Sequence, residues 1–367
     1  MRILHLEAGR HLFGGARQAA LLIAELERRG LRNKLVCPPE QPILDKLPAS
    51  VRQPMPIAGE LDPLFVGRLI RRMRRFQADV LHVHSRRGAD WVGAIAAGLT
   101  GVPAVLTRRV ESQEPALGLR LKCRPYRAIA AISEAVVQQM TAAGIDAGRL
   151  TRIPSAVDAS VWAPDPAAGA RLRAQCDLPA DSIVIATIAQ LIPRKGIETI
   201  IDALVKLPES CAKVVLLCFG RGPQRPLLER KVRDAGLARR VHFMGYRDDL
   251  PALLAGVDIV VQAPSREGLG AAILESMSAG RSVLATAVGG ITDLITTEQD
   301  GILVPPGDAA ALAVGLERLV HDPALRRRLG QAARRRVQAE FSVRQMTDAY
   351  LALYRQIATV PDGVLRF

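Results

Sequence analysis

Two glutamates eight positions apart could hold the two ends of one extended ligand. Glu267 and Glu275 lie in the stretch SREGLGAAILESM at 265–277, which follows an apolar run and has a helical pattern after Gly270. Gly268 and Gly270 let the backbone approach a ligand closely and leave amide N–H groups at the start of the helix, where a diphosphate binds well. The carboxylates could accept hydrogen bonds from sugar hydroxyls. The alternative is an ordinary helix start with acidic residues near its positive end.

Cations, glycines and histidines follow other apolar runs. Arg194-Lys195-Gly196 opens a helical segment and suits a phosphate-bearing ligand, although a solvated basic loop would look the same. Gly14-Gly15 separates the first strand-like run from the first helical run, and its backbone could approach an anion. His82 and His84 alternate along one strand and therefore point to the same face. Such a pair is more often structural than catalytic; it could also begin a metal site, but the sequence offers no convincing third ligand.

These segments follow strand-like runs in a chain that alternates strands and helices. The first half has such runs at 2–6, 34–37, 79–83, 104–107 and 127–132, and a helical pattern at 15–29. The alternation lapses at 153–164 and restarts with runs at 182–189, 213–219, 241–244, 257–262, 282–286 and 301–304. Apolar strands separated by helices predict parallel sheets covered on both faces. We therefore expect an α/β protein with two Rossmann-like domains facing each other across a cleft, and ligands beyond the C-terminal strand ends.

Composition places the chain among globular proteins with a large core. It has 367 residues, 49% of them apolar and 4% aromatic, and this length favours two or three domains. Five scattered cysteines form no C-x-x-C pair, which argues against disulfides or a zinc site and for a reducing compartment. No secretory signal is predicted, and the apolar stretch 91–107 is interrupted by Gly98, Gly101 and Pro103. We expect a cytoplasmic protein.

The net charge of +14 is concentrated in the first half of the chain. Residues 1–158 carry 24 Lys and Arg against 14 Asp and Glu, whereas the other 209 residues carry 26 against 22. This asymmetry predicts an anionic partner: nucleic acid, a phosphorylated substrate or an acidic membrane surface. Nucleic acid is disfavoured because aromatic residues are few and the arginine clusters are helical. The run RRMRR at 71–75, on a predicted helix with Leu64 and Leu69, favours docking on an anionic membrane surface.

Taken together, these segments resemble the retaining GT-B glycosyltransferases of family 4, over essentially the whole chain. The most specific part of the resemblance is the E-x7-E pattern from Glu267 to Glu275. It is followed by RSVLA at 281–285 and by Gly289-Gly290. Supporting matches are RKG at 194–196, GRGP at 220–223, DVLHVHS at 79–85, ISE at 132–134, IPSAVD at 153–158 and the glycine turn HLFGGARQ at 11–18.

The resemblance implies a role for each matching position. Glu275 would hold the donor ribose and Glu267 the transferred sugar, while Lys195 and the amides of 268–270 would hold the diphosphate. His84 would lie beside the anomeric carbon, so that His84, Glu267 and Lys195 are the predicted catalytic residues. The further predicted donor-binding residues are Arg194, Gly268, Leu269, Gly270, Gly220, Gly245 and Tyr246, the last two near the nucleobase. The predicted acceptor or phosphate loop comprises Gly14, Gly15, Arg108 and Arg109.

The resemblance also implies the domains, the reaction and the partners. Residues 1–158 would bind the acceptor, residues 159–340 would bind the nucleotide sugar, and 341–367 would form a helix crossing back to the first domain. A sugar would pass from a nucleotide-diphosphate sugar to a glycan or lipid-linked acceptor, of surface polysaccharide or lipopolysaccharide type. The reaction would use no metal and no cofactor, at the cytoplasmic face of the inner membrane. The alternatives are a same-fold nucleotide-sugar epimerase or phosphorylase, a nucleic-acid-binding protein and an inactive scaffold.

Several positions depart from the family pattern. Gln190 stands where the family usually has Arg, so one cation for the diphosphate is missing unless Arg194 replaces it. Leu269 replaces the common Phe, and Asp293 follows the glycine pair in place of the commoner Glu. Ser155-Ala156 replaces the usual Asn-Gly. These departures leave the identity of the donor sugar open.

Overall fold

The computed structural model describes residues 1–9, 14–57, 62–85, 88–110, 114–163 and 165–359. The chain forms two compact units, each with its own parallel sheet. The N-terminal unit comprises Met1–Ala156 and Val343–Phe367, and the C-terminal unit comprises Val157–Ser342. The first division between the units falls within 153–164, where the alternation of strands and helices lapses.

The described residues of the N-terminal unit form a sheet of seven parallel strands. They are β1 (Arg2–Leu6), β2 (Arg32–Cys37), β3 (Arg52–Pro54), β4 (Val80–Val83), β5 (Ala104–Arg108), β6 (Ala128–Ala131) and β7 (Leu150–Arg152). Their order is β3-β2-β1-β4-β5-β6-β7, so the chain builds outwards from β1 and then returns to place β4 on its other side. Strands β4, β5 and β6 are buried along their whole length and β1 along all but its first residue, as expected for a sheet covered on both faces.

In the described part of this unit, five α-helices connect the strands. They are α1 (Gly14–Arg28), α2 (Pro63–Phe76), α3 (Ala89–Thr100), α4 (Ala116–Cys123) and α5 (Glu134–Ala142). Asp62 caps α2 by accepting a hydrogen bond from the Phe65 amide, and Pro63 occupies the first helical position. Helix α3 ends at Gly101, which has a left-handed backbone, and β5 follows. The stretch 91–107 is therefore a helix, a turn and a strand.

The C-terminal unit repeats the design with six strands. They are β8 (Ile183–Ile188), β9 (Val214–Phe219), β10 (Val241–Gly245), β11 (Ile259–Gln262), β12 (Ser282–Thr286) and β13 (Ile302–Val304), in the order β10-β9-β8-β11-β12-β13. Its helices are α6 (Pro166–Gln175), α7 (Ile197–Val205), α8 (Arg225–Asp234), α9 (Leu250–Leu253), α10 (Ala271–Ser278), α11 (Ile291–Leu294), α12 (Ala309–His321) and α13 (Pro323–Glu340). The core lies between the sheet and helices such as α7 and α12.

The last helix, α14 (Val343–Thr359), belongs to the N-terminal unit. Its Tyr350, Leu353 and Tyr354 pack in one buried cluster with Leu22 and Leu26 of α1. The amphipathic pattern of α14 therefore has an apolar partner in α1, and this packing places two tyrosine hydroxyls within the unit. Among the described residues, no helix has both the length and the apolar character that a membrane span requires.

Candidate functional site

In the C-terminal unit, two predicted site residues lie at the point where the strand order reverses. Strand β8 has β9 on one side and β11 on the other, so the strand order reverses between the connections that leave β8 and β11. Open parallel sheets bind ligands at this position. Lys195 follows β8, in the short helical turn Pro193–Lys195, and Glu267 follows β11. The sheet topology therefore brings together residues that are 72 positions apart.

Lys195 and Glu267 form an ion pair in which both side chains are mostly buried. Lys195 Nζ donates to Glu267 Oε2, and the two side chains are 17% and 18% exposed. The other carboxylate oxygen, Oε1, accepts the Gly268 amide at 3.2 Å. The Glu267 carbonyl accepts from the Gly290 amide at 3.1 Å. Glu267 is thus held by a cation and by the backbone of two glycine-containing loops.

Close backbone packing fixes the lysine loop in place. Gly196 has φ +63°, and a Cβ at this residue would lie 1.8 Å from the Ala263 carbonyl oxygen. Gly220 has φ +138°, and its Cβ would lie 1.9 Å from the Ala189 carbonyl oxygen. The Ser265 amide also donates to the Arg194 carbonyl at 2.9 Å. The loops after β8, β9 and β11 therefore touch through backbone atoms, and glycine is required at both contact points.

The start of α10 has no side-chain cap. Gly270, with φ +104°, precedes the helix and makes no side-chain capping bond, and the first turn holds no acidic residue. Helix N-termini with available amides bind anions. Glu275 is half-buried, and it is the fifth residue of α10, the position that the spacing predicts. The E-x7-E segment thus places Glu267 before the helix and Glu275 just over one turn inside it.

The other predicted donor-binding residues differ in what they can offer. Arg194 is exposed beside Lys195, and Tyr246 is 47% exposed just after β10. Gly245 has φ +69°, and its carbonyl accepts the Gly220 amide at 2.8 Å, which ties the β9 and β10 loops together. Leu269 is buried in the core, so it can offer a ligand only its backbone.

The N-terminal unit places His84 in a cluster of three buried histidines. In the sheet His5 of β1 aligns with His82 of β4, and His84 lies just beyond the end of β4. His5 Nδ1 and His84 Nε2 are 2.9 Å apart. His82 bonds the Tyr354 hydroxyl through Nδ1 at 2.5 Å and the Thr107 hydroxyl through Nε2 at 2.7 Å. Strands β1 and β4 flank the reversal of strand order in this sheet, the counterpart of β8 and β11.

Burial keeps the three imidazoles neutral at physiological pH. Desolvation lowers the pKa of His5 to about 3. It also lowers the pKa of His82 and of His84 well below the usual value, with smaller contributions from the neighbouring imidazoles and from Arg109. Each neutral ring then carries one N–H donor and one acceptor nitrogen.

Gly15 and Arg109 lie together, whereas Arg108 points elsewhere. A Cβ at Gly15 would meet Arg109 Cδ at 3.2 Å, and Arg109 Nη2 lies 3.5 Å from His84 Nδ1. Gly14 begins α1 beside them. The residues 11–13 of the predicted glycine turn lie outside the described residues. This half of the predicted acceptor or phosphate loop is thus adjacent to His84.

Arg108 is buried in an internal ion cluster. It is 1% exposed, with Nη2 3.3 Å from Glu114 Oε1 and Nη1 4.0 Å from Asp90 Oδ2. Lys122 pairs with the same two carboxylates, at 2.8 Å from Asp90. The expectation that Arg108 lines an acceptor loop beside Arg109 needs correction, because a ligand would have to displace an ion pair to reach it. The cluster balances two cations with two anions and has a structural role.

One group of three metal-ligating side chains lies together in the described part of the chain, formed by His5, His82 and His84. Sequence reasoning singles out His82 and His84 but not His5. Both nitrogens of His82 already bond hydroxyl groups, and the Arg109 guanidinium lies beside His84. A bound cation would lie next to this positive charge, so the donor set does not favour a metal.

Comparison with known families connects the two units to one type of protein. Residues 170–336 match the family model described as "Glycosyl transferases group 1", and residues 14–161 match "Glycosyltransferase Family 4". The chain belongs to the group 1 glycosyltransferases. The first match, over residues 170–336, includes Lys195, Glu267 and Glu275. The second match includes the Gly14-Gly15 turn and His84.

Individual relatives of this glycosyltransferase cover different shares of it. The lipopolysaccharide core biosynthesis glycosyltransferase LpsE of Rhizobium meliloti is 37% identical over 49% of the chain, which spans only 52% of that relative. The 2-deoxystreptamine glucosyltransferase of Streptomyces kanamyceticus is 29% identical over 77% of the chain and 79% of its own length. The crystal structure of Anabaena HepE in complex with UDP superposes with a TM-score of 0.86 at 22% identity, covering 97% of this chain and all of that one. This last likeness establishes the GT-B fold.

Proposed function

We propose that this group 1 glycosyltransferase transfers a sugar from a nucleotide-diphosphate sugar to a glycan or lipid-linked acceptor, with retention of anomeric configuration and without a metal. The observation that carries the proposal is the Lys195–Glu267 pair beside the uncapped start of α10. A cation, a carboxylate and helix amides converge there, at the crevice where an α/β sheet binds its ligand.

The ion pair explains how the site works on a charged donor. Breaking the bond between sugar and phosphate leaves negative charge on the diphosphate, which fixed donors must stabilise as it develops. Lys195 exchanges its Glu267 partner for the diphosphate, and the α10 amides add to its charge. Glu267 is then available to the hydroxyls of the transferred sugar, while Glu275 accepts from the ribose. Lys195, Arg194 and the helix start provide the positive charge that a metal would otherwise supply.

The known activities and ligands of the relatives support a more specific donor and acceptor. HepE binds UDP, and one relative is a glucosyltransferase. LpsE acts in lipopolysaccharide core biosynthesis. We infer a UDP-hexose donor and an acceptor of lipopolysaccharide or surface polysaccharide type.

A ligand panel with matched variants tests the donor site. UDP, GDP, ADP and their sugars are compared by thermal shift, since a ligand that binds the native state raises its stability. UDP and a UDP-sugar should stabilise the wild-type chain, and Lys195→Ala should abolish the shift. Lys213→Ala is the control, because Lys213 also pairs with a carboxylate, Asp181, on an exposed surface. Equal shifts for all nucleotides, or equal losses in both variants, would exclude this donor site.

Retention and metal independence are tested on the reaction itself. NMR of the product should show the same anomeric configuration as the donor sugar. Excess EDTA should leave the rate unchanged. An inverted product would contradict the retaining assignment, and a rate restored only by Mg²⁺ or Mn²⁺ would contradict the metal-free one.

We further propose that the N-terminal unit docks on an anionic membrane surface that carries the acceptor. This unit holds 27 Lys and Arg against 15 Asp and Glu. Trp91, Ile95 and Leu99 are exposed on one face of α3, four residues apart. Helices α2 and α4, which both contact α3, add three exposed leucines, Leu64, Leu117 and Leu121. Exposed arginines accompany this apolar face at Arg71, Arg74, Arg75, Arg120 and Arg124.

An apolar face with basic neighbours fits an acidic leaflet, where each cation contributes about 1 kcal/mol of attraction. The chain should co-sediment with vesicles that contain anionic lipid, and salt should release it. Leu99→Glu should weaken this binding several-fold. Val314→Glu should not, although Val314 of α12 in the other unit is as exposed, at 65% against 67% for Leu99. Binding that ignores lipid charge, or equal effects of the two variants, would refute the docking proposal and leave the transferase proposal intact.

A further inference from the structure

Two contacts join three side chains in a line through the histidine cluster of the N-terminal unit. Arg109 Nη2 lies 3.5 Å from His84 Nδ1, and His84 Nε2 lies 2.9 Å from His5 Nδ1. Beyond these contacts, His5 Nε2 is buried without a hydrogen-bond partner among the described residues. The line therefore starts at a guanidinium and ends inside the core.

The guanidinium determines the direction of every hydrogen bond in this line. An arginine can only donate, so His84 Nδ1 must accept and carries no proton. The single proton of the neutral His84 ring is then on Nε2, which donates to His5 Nδ1. We propose that His5 is a positioning residue: its Nδ1 holds His84 in the Nε2–H tautomer, so that the Nδ1 lone pair of His84 faces Arg109.

This arrangement gives His84 a task different from acid–base chemistry. Both of its nitrogens are engaged, so it holds Arg109 through a neutral acceptor. A carboxylate in that place would neutralise the guanidinium, whereas an imidazole leaves its charge available. Within the part of the chain that the structure describes, Arg109 Nε is buried without a hydrogen-bond partner, next to the start of α1 at Gly15. This inference rests on the proposed function: Arg109 is a cation oriented for an anionic group of the substrates. His5 is the residue that keeps Arg109 oriented, through His84.

The tautomer of His84 can be measured directly. The full chain is labelled with ¹⁵N in its histidine rings, and long-range ¹H–¹⁵N spectra are recorded without ligand; the His84 signals are those lost in His84→Asn. In the wild-type chain His84 should show a protonated Nε2 and an unprotonated Nδ1. His5→Asn should preserve this pattern, because the asparagine oxygen can take the place of Nδ1. His5→Phe removes the acceptor of the Nε2 proton and leaves only the longer Arg109 contact to favour this tautomer, so the His84 signals should shift and the Nδ1-protonated form should become detectable.

Turnover supplies the second readout. His5→Phe should lower kcat on the order of tenfold, the effect of losing one hydrogen bond to a positioned group. It should leave the KM for the donor nearly unchanged, and His5→Asn should restore most of the rate. His321→Phe, at an exposed position of α12, is the matched control and should change nothing.

Several results would overturn the proposal. These are a proton on Nδ1 of His84 in the wild-type chain, a His5→Phe spectrum identical to the wild type, or displacement of the histidine protons by stoichiometric Zn²⁺. If His5→Phe does not fold, the wild-type and His5→Asn spectra still decide. If no transferase activity is found in any variant, the proposed function fails, whereas the tautomer measurement stands by itself.

Discussion

Gly196→Ala should separate the loop of Lys195 from the loop of Glu267. Gly196 follows Lys195 directly and has φ +63°, and its missing Cβ would lie 1.8 Å from the Ala263 carbonyl oxygen. Real Cβ atoms essentially never approach other heavy atoms closer than 3.0 Å, so the two backbones must move apart by at least about 1.2 Å. The obstacle is a main-chain carbonyl just after β11, which cannot rotate away as a side chain would.

Two costs add in this variant. A left-handed conformation costs an alanine about 1–2 kcal/mol, and forcing extra volume into a packed contact costs about 1–3 kcal/mol. We therefore expect a loss of about 2–5 kcal/mol in the free energy of unfolding, from the same two principles. Gly236→Ala isolates the first cost, because Gly236 has φ +69° and no atom within 4 Å of its missing Cβ.

The assay compares both variants by urea unfolding and by transferase turnover. A displacement of about 1 Å at a reacting site can cost on the order of 100-fold in rate. Gly196→Ala should therefore lose about 100-fold in kcat/KM, whereas Gly236→Ala should keep its rate and lose only about 1–2 kcal/mol of stability. If the two alanine variants behave alike in stability and rate, the backbone contact with Ala263 does not hold the site together.

Three further outcomes follow from the same structure. The pKa values of His5, His82 and His84 are lowered in the folded state, so the unfolded chain binds more protons below about pH 6.5. The free energy of unfolding should therefore keep its full value above that pH and fall towards pH 3, the folded pKa of His5. For three such groups, urea unfolding should show a loss of about 4 kcal/mol between pH 7.5 and pH 5.5, and a flat profile would contradict their neutral burial. Glu275→Ala should raise the KM for the donor several-fold with little change in kcat, since a ribose contact acts alike in ground and transition states; initial-rate kinetics would show the opposite split if this glutamate acted on the reacting sugar. Asp90→Asn should cost about 3–5 kcal/mol of stability in urea unfolding, because it leaves two buried cations with one carboxylate, and a near-neutral result would mean that the cluster is hydrated.

The strands that could be predicted from the sequence are those with an apolar run, and they include the edge strands β10 and β13 as well as the buried central strands. Strands β1 and β12 have the predicted bounds, and the other central strands differ by one or two residues at an end. The edge strands β3 and β7 escaped prediction for a physical reason. Each has three residues, Arg52–Pro54 and Leu150–Arg152, and none of these residues is fully buried. A half-exposed strand of this length has no apolar run, and only its hydrogen bonds to a neighbour define it.

The sequence singles out residues of the candidate site one by one, but it does not predict their contacts. Glu267 and Lys195 could each be found from a glycine-containing loop after an apolar run. Their ion pair depends on β8 and β11 being neighbours, which the strand order decides and the sequence leaves open. The separation of Arg108 from Arg109 could have been foreseen: Arg108 ends β5, and successive residues of a strand point to opposite faces. Alternation therefore already argued against one loop using both arginines.

His5 shows where reading along the chain stops being informative. It is the single titratable side chain in the apolar part of β1, and it becomes a partner of His84, 79 positions away, only because β4 returns to pair beside β1. The same return of the chain brings β11 beside β8 in the other unit and places Glu267 against Lys195. In both sheets, the polar groups that stand out from apolar surroundings meet where the strand order reverses. A polar residue within an apolar strand next to that reversal is thus a useful signal, and by this rule His5 would have been the third histidine to look for.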